Sequence, residues 1–237
     1  MQDRYVADIG DYVKLGLLRA LAEGSRLGVA WYLFPNESHN SDGKHITYLR
    51  SRELWRSHDD ELFDTLSTLV TQRTRSISSL ESSRVLSNAI YANEPLQSDI
   101  VSSAERAQWR KGWFDRVVTN LASCDIVFAD PDNGLCLDSR FSEWQRKDWK
   151  RLPLSEAYSL AENRTAIFYH HNSRYTGGHS AEIRYWLSQF NSETLALYWG
   201  GKGSMSPRTF FVVNPSEEIS KKLAEFCKVW KQATILK

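Results

Sequence analysis

Polar side chains that could do chemistry follow a short apolar segment near the middle of the chain. Residues 127–129 are apolar and partly β-branched or aromatic, which is typical of a buried strand. They are followed by Asp130, Pro131, Asp132, Asn133 and Gly134. In open α/β sheets, ligands bind at the carboxyl ends of strands. The proline and the Asp-Asn-Gly turn should bring the chain out of the sheet abruptly, with Asp130 at the lip, although such a turn can also do no more than reverse the chain.

A second group of polar residues ends a strand that is predicted at 165–169. His170 and His171 come first, and Asn172 and Arg174 follow. If the two strands are neighbours, this group should lie beside the first polar loop. Adjacent histidines on a strand point to opposite faces, so at most one of them, here taken as His171, faces the shared site. The guanidinium group of Arg174 could position a phosphate. His171 and Arg174 are therefore candidates for substrate binding.

The carboxylates of Asp130 and Asp132, with one of the two histidines, could instead hold a divalent metal ion. Such an ion would activate water in a nuclease or phosphohydrolase. His179 is a further candidate ligand. No H-x-x-x-H or H-E-x-x-H spacing indicates zinc, and a histidine at a strand end often only packs or forms hydrogen bonds. The metal site therefore stays an alternative.

Residues 140–151 combine aromatic and cationic side chains. Trp144 and Trp149 lie among several arginines and lysines, soon after the Asp130 loop. Aromatic faces suit unstacked bases and nearby cations suit phosphates, so both tryptophans are candidates for substrate binding. The other interpretation is a lid or insertion, at about 136–153, that its tryptophans anchor.

The helix predicted before the Asp130 strand carries apolar side chains at every fourth position. These are Trp109, Trp113, Val117 and Leu121. This spacing is more typical of a core stripe than of a base-stacking platform. The charged residues of the helix are then expected on its solvated face: Arg106, Arg110, Lys111 and Arg116.

Two other features carry little chemistry. The glycine-rich residues 200–204 do not match a phosphate-binding loop and precede a strand, so we predict a hairpin loop there. No serine nucleophile elbow is present, and Cys124 and Cys136 show no local sign of activation. Covalent catalysis is therefore not indicated.

Composition narrows the class of protein. The 237 residues include 30 basic and 29 acidic side chains, so the near-neutral charge gives no global argument for nucleic acid or a membrane surface. Any site for a polyanion must be a local patch. Three scattered cysteines favour a reducing cytoplasm over a disulfide framework. No segment approaches the ~18 apolar residues of a membrane span, and no repeat or linker divides the chain, so we predict one cytoplasmic domain over residues 1–237.

The elements that must position these residues alternate between helix and strand. Besides 127–129 and 165–169, strands are predicted at 27–34, 75–80, 194–199 and 209–214. Helices are predicted after caps at Asp11, Asp59 and Ser102 or Ser103, at 154–161, at 180–190 and from about 216. This alternation is typical of a mostly parallel sheet that is covered on both faces. The last two strands lack a helix between them, so we expect an antiparallel hairpin at the edge of a Rossmann-like α/β sandwich.

Several short motifs, in the same order, resemble those of the bacterial adenine-N6 methyltransferases of large-subunit ribosomal RNA. Residues 10–12, Gly-Asp-Tyr, together with Lys14 are similar to the amino-terminal Gly-Asn-aromatic segment of that family and its lysine. Asp130 and Pro131 resemble the start of the Asp-Pro-Pro-Tyr motif of the family.

The resemblance continues in the second half of the chain. Phe168, Tyr169 and Arg174 resemble the Trp-Tyr-Pro...Arg strand, and residues 203–205 with 210–215 are similar to the Gly-Met...Phe-Val-Ile-Asn-Pro close of the family. The matches therefore span nearly the whole chain.

This resemblance implies an S-adenosylmethionine-dependent methyltransferase that acts on a nucleic-acid base or nucleotide, with an adenine amine favoured. Asp130 would accept a hydrogen bond from the amine and Asn133 would position the substrate, and Asp132 is the third candidate catalytic residue of this loop. Lys14 would contribute to substrate binding. A base in a single strand or loop is easier to reach than one in a duplex, which would have to be flipped out.

The cofactor would be bound by Asp11, Asn36, Asp42 and Gly43. Two departures from the family pattern matter here. Asp132 and Asn133 replace Pro-Tyr, which removes the ring on which the target adenine would stack, and residues 35–44 lack the glycine-rich run that lets a cofactor approach the backbone. A non-catalytic, methyltransferase-like protein that binds a nucleotide or a protein partner is therefore a third interpretation.

Overall fold

The structure, a computed structural model, describes residues 1–36, 43, 45–97, 99, 101–200 and 207–237. Within these ranges the helices are α1 (Ile9–Ala22), α2 (Arg52–Trp55), α3 (Asp60–Thr71), α4 (Ile77–Ser82), α5 (Arg106–Asn120), α6 (Leu154–Leu160), α7 (Gly178–Leu187) and α8 (Glu217–Val229). The strands are β1 (Leu27–Ala30), β2 (Ile90–Ala92), β3 (Ile126–Ala129), β4 (Leu135–Cys136), β5 (Leu152–Pro153), β6 (Thr165–His171), β7 (Leu195–Trp199), β8 (Arg208–Val213) and β9 (Ala233–Leu236).

Seven of the strands form one mixed sheet, in the order β2-β1-β3-β6-β8-β7-β9. The first four are mutually parallel, whereas β8 is antiparallel to both β6 and β7, and β9 is antiparallel to β7. Five strands therefore run in one direction, and the predicted Rossmann-like α/β sandwich with a mostly parallel sheet is confirmed. The predicted antiparallel hairpin is β7–β8, and β9 adds a strand beyond β7 that was not predicted.

The sheet is buried on both faces. Phe128 and Ile167 pack into the core on one side, and Val127 and Ala166 pack into the core on the other. Continuous apolar runs of this kind are what a parallel strand needs when helices cover both faces. The carboxyl ends of β1, β3 and β6 consequently open at the same edge of the sheet, which is where ligands bind in such folds.

Helix α1 begins earlier than predicted. Asp8, and not Asp11, is its cap, because the Asp8 carboxylate accepts hydrogen bonds from the backbone N–H groups of Gly10 and Asp11, at 2.7 and 3.0 Å. Asp11 and Lys14 therefore lie inside the helix, one turn apart. Both side chains point toward the end of β3, which brings the amino-terminal turn of α1 over the edge of the sheet.

Two segments differ from the predicted elements. Residues 75–80, predicted as a strand, contain the start of α4, because Ser76 caps a helix by accepting from Ser79 N–H and Ile77 and Leu80 share one buried face. The predicted strand at 27–34 is shorter than expected, since β1 ends at Ala30 and Tyr32 has a positive φ of 39°.

The segment at about 136–153, predicted as a lid or insertion and called the lid below, has a small sheet of its own. Its ends, β4 and β5, pair in parallel as a two-stranded sheet. Trp149, between them, is fully buried and stacks on Trp109 of α5 with ring centroids 5.3 Å apart. The tryptophan thus fixes this insertion to the body of the protein.

All three cysteines are free, and burial raises the pKa of Cys136 to about 12, which keeps its thiol protonated. Among the described residues, no helix is both long and apolar enough to cross a membrane.

Candidate functional site

A polar cavity of about 290 Å³ lies at the carboxyl ends of β3 and β6, beneath the first turns of α1. Its lining includes four carboxylates, from Asp8, Asp11, Asp130 and Asp132. The other polar side chains that line it are Tyr5, Lys14, His45, Asn133, Tyr169, His171 and Arg208. We name it the first cavity. It is lined by residues of both polar groups that were predicted from the sequence, the loop after β3 and the end of β6.

Lys14 lies between two of these carboxylates, those of Asp11 and Asp130. Its ammonium group lies 2.8 Å from Oδ2 of Asp130 and 2.7 Å from Oδ1 of Asp11. All three side chains are almost completely buried. The prediction that Asp130 stands exposed at the lip is wrong: the residue lines the cavity, but its carboxylate is held in a buried ion pair. Lys14 was predicted to bind substrate, and the contact that the structure gives it is with these two carboxylates.

Asp11 is the acid of this group with unused hydrogen-bonding capacity. Its Oδ2 is buried and has no hydrogen-bond partner among the described residues. Burial raises the pKa of Asp11 to about 6; Lys14 opposes this rise, and the neighbouring carboxylates of Asp8 and Asp130 add to it. A buried, unpartnered carboxylate oxygen at a cavity wall favours a ligand that donates a hydrogen bond there.

Asp132 is also held by a cation. Its Oδ1 lies 2.7 Å from the amino group of Met1, and its Oδ2 accepts a 2.7 Å hydrogen bond from the Gln2 amide. Burial opposes ionisation of Asp132, but the ammonium group and the amide outweigh it and hold the pKa of its carboxyl below the usual value. Asn133 is exposed on the same wall, and its backbone N–H donates to the carbonyl of Lys150 in the lid.

Arg208, at the start of β8, also lines the first cavity. It pairs in register with His171 and lies 3.7 Å from the Asp8 carboxylate. Its guanidinium group passes so close to Gly10 that a Cβ there would lie 2.1 Å from Nε. A side chain at position 10 would therefore displace the Arg208 guanidinium group from this position. Burial raises the pKa of Tyr169, beside it, to about 12, so its phenol stays protonated.

The two histidines differ in their surroundings, although both line a second cavity that is described below. His171 lines the first cavity with both aspartates of the loop. His170 is buried: its Nδ1 accepts from the Leu135 N–H at 3.1 Å, so its proton is on Nε2, which lies 3.3 Å from Oε1 of Glu182. Glu182 also accepts hydrogen bonds from the backbone N–H and the hydroxyl of Ser173. Burial alone would raise the pKa of Glu182, but the hydrogen bonds from His170 and Ser173 outweigh burial and lower this pKa to about 2.

The contacts of these residues do not favour the metal alternative. Among the described residues, no three histidine, cysteine or carboxylate side chains are grouped so that they could hold an ion. Asp130 and Asp132 each already contact an ammonium group, and His179 instead faces the hydroxyl of Tyr198 at 3.2 Å. A divalent ion would have to displace both cations.

Several predicted residues lie elsewhere. Trp149 is buried against Trp109, so it cannot stack on a base, whereas Trp144 is 53% exposed outside the first cavity. Arg174 is exposed and does not line the first cavity. Arg110, expected on a solvated face, is fully buried and donates to Glu156 at 2.7 Å, because α5 packs this side against the lid and α6.

Only some of the residues that were predicted to bind the cofactor line the first cavity. Asp11 and Gly43 line the first cavity. Asn36 does not; it is exposed and exchanges hydrogen bonds with Asp3. Asp42 lies outside the described residues.

Seven lining residues had not been predicted for the site, and among them are Asp8, Tyr169 and Arg208. Asp8 three positions before Asp11 is the spacing of a helix cap, which could have placed it. Arg208 gives no such signal, because only the antiparallel pairing of β8 with β6 brings it to His171.

Comparison with known proteins gives little further guidance. No protein-family model matches the chain, and no curated protein matches it in sequence. Among solved structures, the chain is similar to protein LPL1258 from Legionella pneumophila str. Philadelphia 1, described as family-model DUF519, at 12% identity and a TM-score of 0.46, over 98% of this chain and 97% of that one. A similarity at this level supports no statement about function.

Proposed function

We propose that this protein is an S-adenosylmethionine-dependent methyltransferase that acts on the exocyclic amine of a nucleic-acid base, with adenine favoured. One observation carries the proposal: Asp130 and Asn133 from the end of β3 line a single cavity with Tyr169 and His171 from the end of β6. This is the edge at which α/β sheets bind their ligands, and the acceptors there suit an amine.

Asp130 is the acceptor for the target amine. Lys14 engages only its Oδ2, so Oδ1 remains to accept a hydrogen from the amine. That bond orients the nitrogen and increases its electron density. Because Lys14 already donates to this carboxylate, we assign Asp130 hydrogen-bond acceptance, and the proton that the methylated nitrogen loses passes to solvent.

The residues of the cavity fit the amino-acid end of the cofactor. Asp11 offers an unpartnered carboxylate oxygen for its ammonium group, and Arg208 and Lys14 supply positive charge for its carboxylate. When bound, the cofactor supplies an electrophilic methyl group. Since the cavity is small compared with the ~300–1,000 Å³ of most ligand pockets, it would hold the reacting ends of both molecules and not their full length.

The target base must be unstacked from the neighbouring bases of the nucleic acid before it can enter the first cavity. The family's stacking ring is absent here, because Asp132 and Asn133 replace Pro-Tyr. Tyr169 and His171, at the end of β6, line the first cavity and offer rings in its place. A base in a single strand or loop requires the least unstacking.

The experiment is transfer of a labelled methyl group from S-adenosylmethionine to single-stranded oligoribonucleotides, followed by nucleoside analysis of the product. The wild-type protein should methylate adenine, and Asp130→Asn should lose most of that activity. Asp115→Asn, an exposed carboxylate on α5, is the matched control and should match wild type. Absence of transfer to any of the four bases by the folded wild-type protein would overturn the proposal.

A further inference from the structure

A second cavity, of about 370 Å³, lies between the lid and α7. It shares Asn133 and His171 with the first cavity, so the two are neighbours on either side of the end of β6. The other residues that line the second cavity have no role in the proposed methyl transfer.

The charge of the second cavity differs from that of the first. It is lined by Arg140 and Arg151, both from the lid. Arg140 is exposed and has no ion-pair partner among the described residues, and the nearest carboxylate to Arg151, that of Asp148, is 3.6 Å away. The one acid in the lining, Glu182, is already bound by the Ser173 donors. Two guanidinium groups without strong carboxylate partners suit a phosphate, which they bind through paired N–H donors.

Aromatic rings stand beside these arginines. Tyr175 is 37% exposed, and its ring centroid lies 5.8 Å from that of Tyr185, which in turn packs edge-on against Trp186 at 5.2 Å. All three line the second cavity. Tyr185, which itself packs against Trp186, therefore supports Tyr175, and the exposed part of Tyr175 is accessible to a flat ring. Such a platform stacks a nucleic-acid base without sequence preference.

We infer that the second cavity binds the nucleotide next to the target base in a single-stranded nucleic acid. Arg140 and Arg151 hold its phosphate, and Tyr175 stacks on its base. The inference rests on the proposed function for its target base, and it adds a contact that the proposed function does not name: a neighbouring nucleotide that is bound outside the first cavity. It also moves the base-stacking role from the buried Trp149 to Tyr175.

Binding of a labelled single-stranded oligoribonucleotide, followed by fluorescence anisotropy across a salt series, tests this directly. Arg140→Gln and Arg151→Gln should each weaken binding and reduce the slope of log K against log salt by ~0.7, the value for one phosphate contact on a single strand. Tyr175→Leu should weaken binding about fivefold or more, with the slope unchanged.

The controls are an exposed arginine and an exposed tyrosine that do not line the second cavity. Arg52→Gln on α2 and Tyr158→Leu on α6, whose side chains are 59% and 49% exposed, should bind as wild type does. The substituted lid and loop side chains are exposed as well, so circular dichroism should show that every variant is folded.

Two results overturn the inference: wild type that binds no single-stranded oligonucleotide, or wild type that binds one with the same affinity as the three variants. Methyl transfer measured on the same proteins separates the two proposals. If binding falls in the variants but wild type transfers no methyl group, the proposed function fails and the nucleotide site stands. If wild type transfers methyl groups to RNA and the variants keep its kcat/KM, the nucleotide site fails and the proposed function stands.

Discussion

Lys14 on α1 donates a 2.8 Å hydrogen bond to Asp130 at the end of β3, across 116 residues of sequence. This bond fixes the amino-terminal turn of α1 over the edge of the sheet and neutralises an acid that would otherwise be buried alone. The same ammonium group also contacts Asp11, so one cation serves two carboxylates.

Loss of that cation should be costly. We expect Lys14→Met to lower the free energy of unfolding by ~3–5 kcal/mol, because two buried carboxylates would lose their partner. Denaturant unfolding measures this. Lys228→Met removes a lysine whose side chain is 70% exposed and paired with Glu225, and should change stability by less than about 1 kcal/mol. Equal stability of the two variants would contradict the assignment of the cluster.

Asp11 should titrate near pH 6. Its folded-state pKa is raised above the usual 3.8, so between about pH 4 and 6 the folded protein keeps a proton that the unfolded chain has lost. The contribution of Asp11 to stability is therefore present below pH 4 and decreases as the pH rises through this window. Carbon-detected NMR of the side-chain carboxyl groups, assigned with Asp11→Asn, measures the pKa. A value at or below 4 would mean that the carboxylate is better solvated or better paired than the structure shows.

Glu182 should have the opposite pH dependence. Its pKa is lowered from 4.5 to about 2, so its stabilising contribution is present above pH 4.5 and is lost as the pH falls toward 2. Glu182→Gln should cost ~1–3 kcal/mol at neutral pH, because its charged hydrogen bonds with Ser173 and His170 are weakened.

Unfolding of wild type and this variant from neutral to acid pH should show the difference between them shrinking below pH 4.5. Glu225→Gln, at an exposed position, serves as the control and should show no such trend. A difference between wild type and Glu182→Gln that stays constant down to pH 3 would contradict the assignment.

Gly134 is required by both its conformation and its surroundings. It has a φ of +68°, and a Cβ there would lie 2.6 Å from Nδ1 of His170, on the side that accepts the Leu135 N–H. Gly24 has a φ of +79° with nothing within 4 Å, so Gly24→Ala measures the backbone strain alone, ~1–2 kcal/mol.

Gly134→Ala should exceed the Gly24→Ala value by a further ~1–3 kcal/mol, because it also displaces the histidine and breaks a buried hydrogen bond. Thermal or denaturant unfolding of both variants gives the comparison. If the two substitutions cost the same, the contact with His170 does not constrain the loop.

Elements with a strong local pattern were predictable from the sequence. The apolar strands β3 and β6 and the amphipathic helices α3 and α8 have clear periodicity and caps. The strand β9 was missed because the helix predicted from about 216 was given no end, and residues 233–236 were not assigned separately. The error at α4 has a similar cause: a short apolar run with two isoleucine or leucine residues does not distinguish strand from helix until the Ser76 cap is considered.

The candidate site was predictable only in part. Sheet topology was enough to bring Asp130 and His171 to one edge, since loops after adjoining parallel strands meet there. What could not be read from sequence was the pairing of charges: the Lys14–Asp130 contact and the approach of Arg208 depend on how α1 and β8 pack against that edge. The burial of Trp149 and Arg110 was equally hidden, because it depends on the lid packing against α5.

We propose that S-adenosylmethionine binds in the first cavity, beside Asp130. Hydrogen–deuterium exchange, followed by mass spectrometry with and without S-adenosylhomocysteine, measures where the ligand binds. We expect slower exchange in peptides that contain residues 8–14 and 130–134, and unchanged exchange in α8. Unchanged exchange at both of those segments in the presence of saturating ligand, or protection confined to other parts of the chain, would contradict it.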